Sequence, residues 1–89
     1  VGVNQESLDG QEAKRILEAD VFKRGMQALS DGYMSQWMNS AEDDIDTRER
    51  AYRKLQILAD FVNEVRTVME TGRMADEQVR QDESIGVNR

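Results

Sequence analysis

The sequence predicts an all-α protein: an antiparallel helical hairpin preceded by a short N-terminal helix and flanked by polar tails. Three observations carry that expectation. Between Thr47 and Thr71 the apolar residues Tyr52, Leu55, Leu58, Val62, Val65 and Met69 step by three and four, a helical face sustained over several turns. Phe22, Met26, Leu29, Tyr33 and Trp37 form a second stripe with the same spacing. The chain has no Pro, and its charged residues reach 34%, a composition that suits exposed helices better than sheets.

Eighty-nine residues support a single small domain, 1–89, with a core near the lower size limit for independent folding. Within it the sequence divides into an N-terminal arm, 1–10, a helical core, 11–72, and a polar extension, 73–89. Val1 to Gly10 shows weak periodicity and two glycines, and reads as an extended or disordered arm. From Gln11 to Ala19, Ala13, Ile16 and Leu17 share one side of a short first helix. Asp20 then has the chemistry of an N-cap, because its carboxylate can accept amides of a new first turn. The second helix accordingly runs from about Val21 to Asn39; one continuous helix through Asp20 is the alternative.

Beside the apolar stripe of the second helix lie Val21, Gly25, Ala28 and Gly32. Each interior Gly costs roughly 1 kcal/mol of helix propensity relative to Ala. Close approach of a neighbouring backbone offsets such a cost, whereas a tolerated surface glycine needs no neighbour. Met34 and Met38 project from the opposite side and offer adaptable contact surface.

Asn39 to Asp46 is a break short enough to make its flanking helices antiparallel neighbours. Its acidic residues Glu42, Asp43, Asp44 and Asp46 lack the alternating ligands, central Gly and terminal Glu of a calcium loop. They suit a helix N-terminus, where negative charge is favoured, and Asp46 with Glu49 has capping-box spacing. A start at Ala41, capped by Ser40, is the alternative.

In this hairpin Tyr33 is expected near Tyr52, Leu29 and Met26 opposite Leu55 and Leu58, and Phe22 opposite Val62. Val65 and Met69 extend beyond the second helix, leaving Ile16 and Leu17 of the first helix to cover them. Ile57, Phe61 and Val68 widen the apolar arc of the third helix to about 200°, roughly twice what one neighbour requires. Either the first helix or another copy must cover that flank. Gly72 suits a left-handed helix stop, and beyond it Arg73 to Glu83 is polar enough to be an exposed helix or to order on a partner. Ser84 to Arg89 has no helical pattern. The echo of Val1-Gly2-Val3-Asn4 in Ile85-Gly86-Val87-Asn88 is too short to be a repeat, although both tails could add strands to a neighbour's edge.

The chemistry is sparse. His and Cys are absent, which removes the usual general acid–base group, thiolate chemistry and the common zinc ligands. No serine has a Gly-x-Ser-x-Gly context and no phosphate-binding glycine loop occurs. No spacing puts two carboxylates on an apolar face where a raised pKa is expected. The sequence therefore predicts a protein that is not an enzyme and takes no cofactor or metal. No apolar run approaches the roughly 20 residues of a membrane span, and no secretory leader is visible. The net charge of −6 opposes phosphate-neutralising binding to nucleic acid. Arg48, Arg50, Arg53 and Lys54 nonetheless form a local basic strip, with Glu49 placed to pair with Arg53.

The order of landmarks resembles that of a group of small, largely uncharacterised helical proteins of tailed bacteriophages and prophages, often encoded beside head or packaging genes. The resemblance rests on Ala13-Lys14-Arg15-Ile16-Leu17-Glu18, Val21-Phe22, Ala28-Leu29 and Trp37-Met38-Asn39-Ser40. It continues through Asp46-Thr47-Arg48-Glu49-Arg50, Leu55-Gln56-Ile57-Leu58 and Val68-Met69-Glu70-Thr71-Gly72-Arg73-Met74-Ala75. It covers roughly residues 12–78 and departs at Val21, where members often have Pro at that position or beside it. It implies a structural or assembly protein of the phage head, present in the host cytoplasm during assembly, with the virion as a further destination. It carries over no site residues.

Together these features predict a homo-oligomer that also binds a head, portal or packaging protein, with Ile57, Phe61, Val68, Met34 and Met38 at the protein interface. The alternative is a nucleic-acid-associated regulatory or packaging accessory protein using Arg48, Arg50, Arg53 and Lys54. An acidic, antitoxin-like inhibitor is a weaker third reading, suggested by charge and size.

Overall fold

The computed structural model describes residues 2–87, with side chains described as far as Glu83. Three helices follow one another: α1 (Val3–Glu18), α2 (Asp20–Met38) and α3 (Ile45–Val87). There is no strand among the described residues. Their contacts group into two compact units, one of the described residues up to Leu17 and from Glu64 onward, the other of residues 18–63.

The second unit is the α2–α3 hairpin. Phe22, early in α2, meets Phe61 with ring centroids 6.4 Å apart, while Tyr33, nearer its end, lies under Lys54. Rising numbers on α2 thus meet falling numbers on α3, so the pair is antiparallel, as expected. The chain breaks before α2, which excludes one continuous helix, but the cap is not Asp20. Ala19 is the N-cap, in extended backbone at φ −68° and ψ 129° and with no side-chain cap bond; Asp20 is the first helical residue. There its carboxylate complements the helix dipole and stands 4.0 Å from the Lys23 ammonium, both side chains being exposed.

At the other end of α2 the Asn39 amide donates to the Ser35 carbonyl at 2.9 Å, and the Ser40 hydroxyl donates to the Trp37 carbonyl at 2.7 Å. Six residues later α3 begins, and its cap also differs from the expected one. Asp44, not Asp46, accepts the Thr47 amide at 3.1 Å, and the Thr47 hydroxyl donates to the same carboxylate at 2.6 Å. An amide three residues beyond the cap is one of the unpaired donors of the first turn, so Asp44 occupies the position that geometry favours.

The buried stripe of α3 keeps the expected three–four step but seats one residue differently. Ala51 is fully buried and Tyr52 is 57% exposed, with its hydroxyl accepting from the Gln56 amide at 3.1 Å. A four-residue step back from Leu55 reaches Ala51, whose small side chain lets the two helices close at the loop end.

The first unit pairs α1 with the later half of α3. The expected arm at 1–10 is helical from Val3 onward, and Val1 lies outside the described residues. The expected stop at Gly72 is absent: α3 runs through to Val87, no described glycine has positive φ, and Gly72 is buried in mid-helix. It meets Gly10. A Cβ built on Gly72 would stand 2.7 Å from both the Gly10 Cα and the Glu6 carbonyl oxygen. Two glycines let these backbones approach more closely than any side chain would allow. Ala13 and Ala75 are the buried hydrophobic residues of this unit, and the Ser7 hydroxyl bonds to the Asp76 carboxylate. Asn88 and Arg89 lie outside the described residues, so the tail echo is not described as a whole; Val3 and Asn4 in it are helical.

Candidate protein interface

The candidate surface follows from how little the chain buries by itself. Ala13, Ala51 and Ala75 are its buried hydrophobic residues among those described, and no large side chain there is fully enclosed. A helix pair buries one stripe from each partner; everything on the flanks stays wet unless something else covers it.

In the hairpin unit the flank residues of α3 are Ile57, 67% exposed, and Phe61, 50% exposed. With Tyr33, Lys54 and Leu58 they line an open groove of about 310 Å³. Phe61 meets the Phe22 ring at an interplanar angle of 46° and also lines this groove. On α2, Val21 at the start and Met34, Trp37 and Met38 near the end are exposed, Val21 at 74% and Met38 at 69%. The glycine strip makes no close approach: a Cβ at Gly25 or Gly32 would meet nothing within 4 Å. They are surface glycines, and the close approach sought there occurs between Gly10 and Gly72.

In the α1 unit, Val65 and Val68 of α3 line an open groove with Asp9, Glu12, Ala13 and Ile16 of α1. Leu8, Met74 and Val79 are exposed here too. A second groove, of about 400 Å³, is lined by Ser7, Gln11, Lys14, Met69, Glu70 and Arg73 beside the Gly10–Gly72 crossing. Arg73 bridges Glu70 at 3.0 Å and Glu77 at 3.3 Å. Both carboxylates favour the charged guanidinium, Glu70 the more, and raise its pKa further.

The basic strip is engaged within the hairpin. Arg48 donates from both terminal nitrogens to loop carbonyls, to Ala41 at 2.6 Å and to Glu42 at 2.8 Å, fastening the loop to the first turn of α3. Arg53 pairs with Glu49 at 3.2 Å, the expected i, i+4 bridge. The Lys54 ammonium lies 5.5 Å from the Tyr33 ring centroid, within cation–π range. Arg50 stays exposed and, with Arg48, adds to the field on Asp44. That carboxyl is held below its ordinary value chiefly by the two Thr47 hydrogen bonds. No three His, Cys, Asp or Glu side chains among the described residues are placed to hold a metal ion. No described helix is long and apolar enough to cross a membrane.

Comparison with protein-family models, with curated proteins and with solved structures finds no match. The surface must therefore be read from its own chemistry. Sequence reasoning selected Ile57, Phe61, Val68, Met34 and Met38, and all are exposed; the first two meet in one groove. It missed Gly10 and the Ser7–Asp76 bond, because small and polar residues on an inward face do not raise an apolar signal.

Proposed function

We propose that this chain is a non-enzymatic structural or assembly protein that works by helix-mediated association with copies of itself and with a larger protein. The observation that carries this reading is the mismatch between its buried and exposed apolar surface. The enclosed residues are alanines, while Trp37, Met38, Ile57 and Phe61 remain in water. Each Å² of apolar surface removed from water contributes roughly 25 cal/mol, so covering these side chains favours the associated form. The cost is lost translational freedom and the ordering of side chains.

On the resemblance of residues 12–78 to small phage and prophage helical proteins, the larger partner we propose is a head, portal or packaging protein. The internal engagement of Arg48 and Arg53 favours assembly over nucleic-acid contact. The test is Phe61→Glu, which places a charge in the groove; because it also removes the Phe61–Phe22 ring contact, Ile57→Glu, the more exposed position of the same groove, is made beside it. Each should weaken self-association or partner capture at least tenfold with little loss of helicity. Unchanged association would refute the reading, and so would absence of the chain from both purified particles and assembly intermediates of a phage that encodes it.

A further inference from the structure

We propose that the outer stripe of α3 is a self-complementary seam on which a second copy of this chain docks in the antiparallel sense. This deepens the assembly reading above and rests on it. Arg50, Lys54, Ile57, Phe61 and Glu64 step by four, three, four and three, the periodicity of a coiled-coil seam. Each is the immediate predecessor of a residue on the inner stripe, Ala51, Leu55, Leu58, Val62 and Val65, and so sits about 100° around the helix from it. All five outer residues are exposed.

The order of chemistry along this stripe chooses both the occupant and its direction. Two apolar residues stand in the middle, a cation one step before them and a carboxylate one step after. Antiparallel seams stack each position of one type on the other type. Ile57 then faces Phe61 of the second copy, Phe61 faces its Ile57, and Lys54 and Glu64 face its Glu64 and Lys54. An apolar centre is closed at both ends by opposite charges, in four layers supplied by the same chain, and Arg50 lies outside them. A parallel copy would instead stack Lys54 on Lys54 and Glu64 on Glu64, which repel. Lys54 already borders the groove beside Ile57 and Phe61, and among the described residues the ion pairs do not involve Glu64.

Charge reversal tests this in the full chain. Sedimentation velocity of the wild type should show a dimer. Lys54→Glu alone and Glu64→Lys alone should each weaken it by about tenfold or more, since every dimer then carries two like-charged layers. Mixing the two variants should restore the dimer as a heterodimer, because each reversed residue meets its complement. That rescue separates the seam from the loss of the Lys54–Tyr33 contact, which Glu64→Lys cannot repair. If the wild type associates but neither variant weakens it, the seam is refuted while the assembly reading stands. A wild type that stays monomeric refutes the seam, and partner capture then decides the assembly reading separately. Singles that weaken without rescue on mixing also overturn the proposal.

Discussion

Replacing one glycine by alanine should have opposite effects at two places in this chain, and the difference can be worked from distances. In a helix interior Gly→Ala is worth roughly 1 kcal/mol in favour of Ala. At Gly25 and Gly32 the new methyl enters open space, so the full gain should appear, about 0.5–1 kcal/mol each. At Gly72 the methyl would stand 2.7 Å from the Glu6 carbonyl oxygen and the Gly10 Cα, against roughly 3.5–4.0 Å for comfortable contact. Both obstacles are backbone, so α1 must move away by most of an ångström. Forced overpacking of that kind costs about 1–3 kcal/mol, and a net loss of about 1 kcal/mol or more remains after the propensity gain. For a chain of this size that is roughly 4–8 °C in Tm per kcal/mol. Thermal unfolding at fixed protein concentration should therefore rank Gly25→Ala and Gly32→Ala above wild type and Gly72→Ala below it. Hydrogen exchange should show the loss of protection in α1. A Gly72→Ala variant as stable as Gly25→Ala would refute the close α1–α3 crossing.

The loop makes two further predictions. Asp44→Ala should lower Tm by removing the cap of α3, and Asp44→Ser should restore part of the loss. Because the folded-state pKa of Asp44 is depressed, its contribution is present above the ordinary carboxylate range and is lost as pH falls through the lowered value. Wild type should therefore lose stability relative to Asp44→Ala below about pH 4; an unchanging difference on acid titration would contradict the cap. Arg48→Met keeps the stem but removes both donors to the Ala41 and Glu42 carbonyls, and should cost about 1–2 kcal/mol in urea unfolding, with faster exchange in the loop. No change would mean that the loop is held by Asp44 and Thr47 alone.

Large side chains at regular spacing made the hairpin legible. Leu55, Leu58, Val62 and Val65 are the inward residues of α3 both in the pattern and in the structure. The pattern misplaces what small residues do. Tyr52 draws the apolar reading because it is large, yet the inward seat belongs to Ala51, whose size permits the approach. Gly72 after a long apolar run has the chemistry of a helix stop as well as of a close crossing. The deciding signal was the continued step from Met69 through Gly72 to Asp76 and Val79. The inward face of α1 runs through Ser7, Gly10 and Ala13, none of which stands out as apolar, and so an arm was expected where a helix lies. Asp46 and Asp44 are equally plausible caps by composition; the hydroxyl and amide of Thr47 select Asp44. For the candidate surface, exposure of Ile57 and Phe61 followed from an arc too wide for one neighbour. The part taken by Tyr33 and Lys54 required knowing where α2 crosses.

Sedimentation velocity of the intact chain across the micromolar range, alone and with Phe61→Glu beside it, tests the central claim most directly. The exposed apolar flank predicts a wild type whose sedimentation rises with concentration and a variant that stays a helical monomer under the same conditions. A wild-type chain that remains a folded monomer throughout, and captures no head, portal or packaging protein, would contradict it.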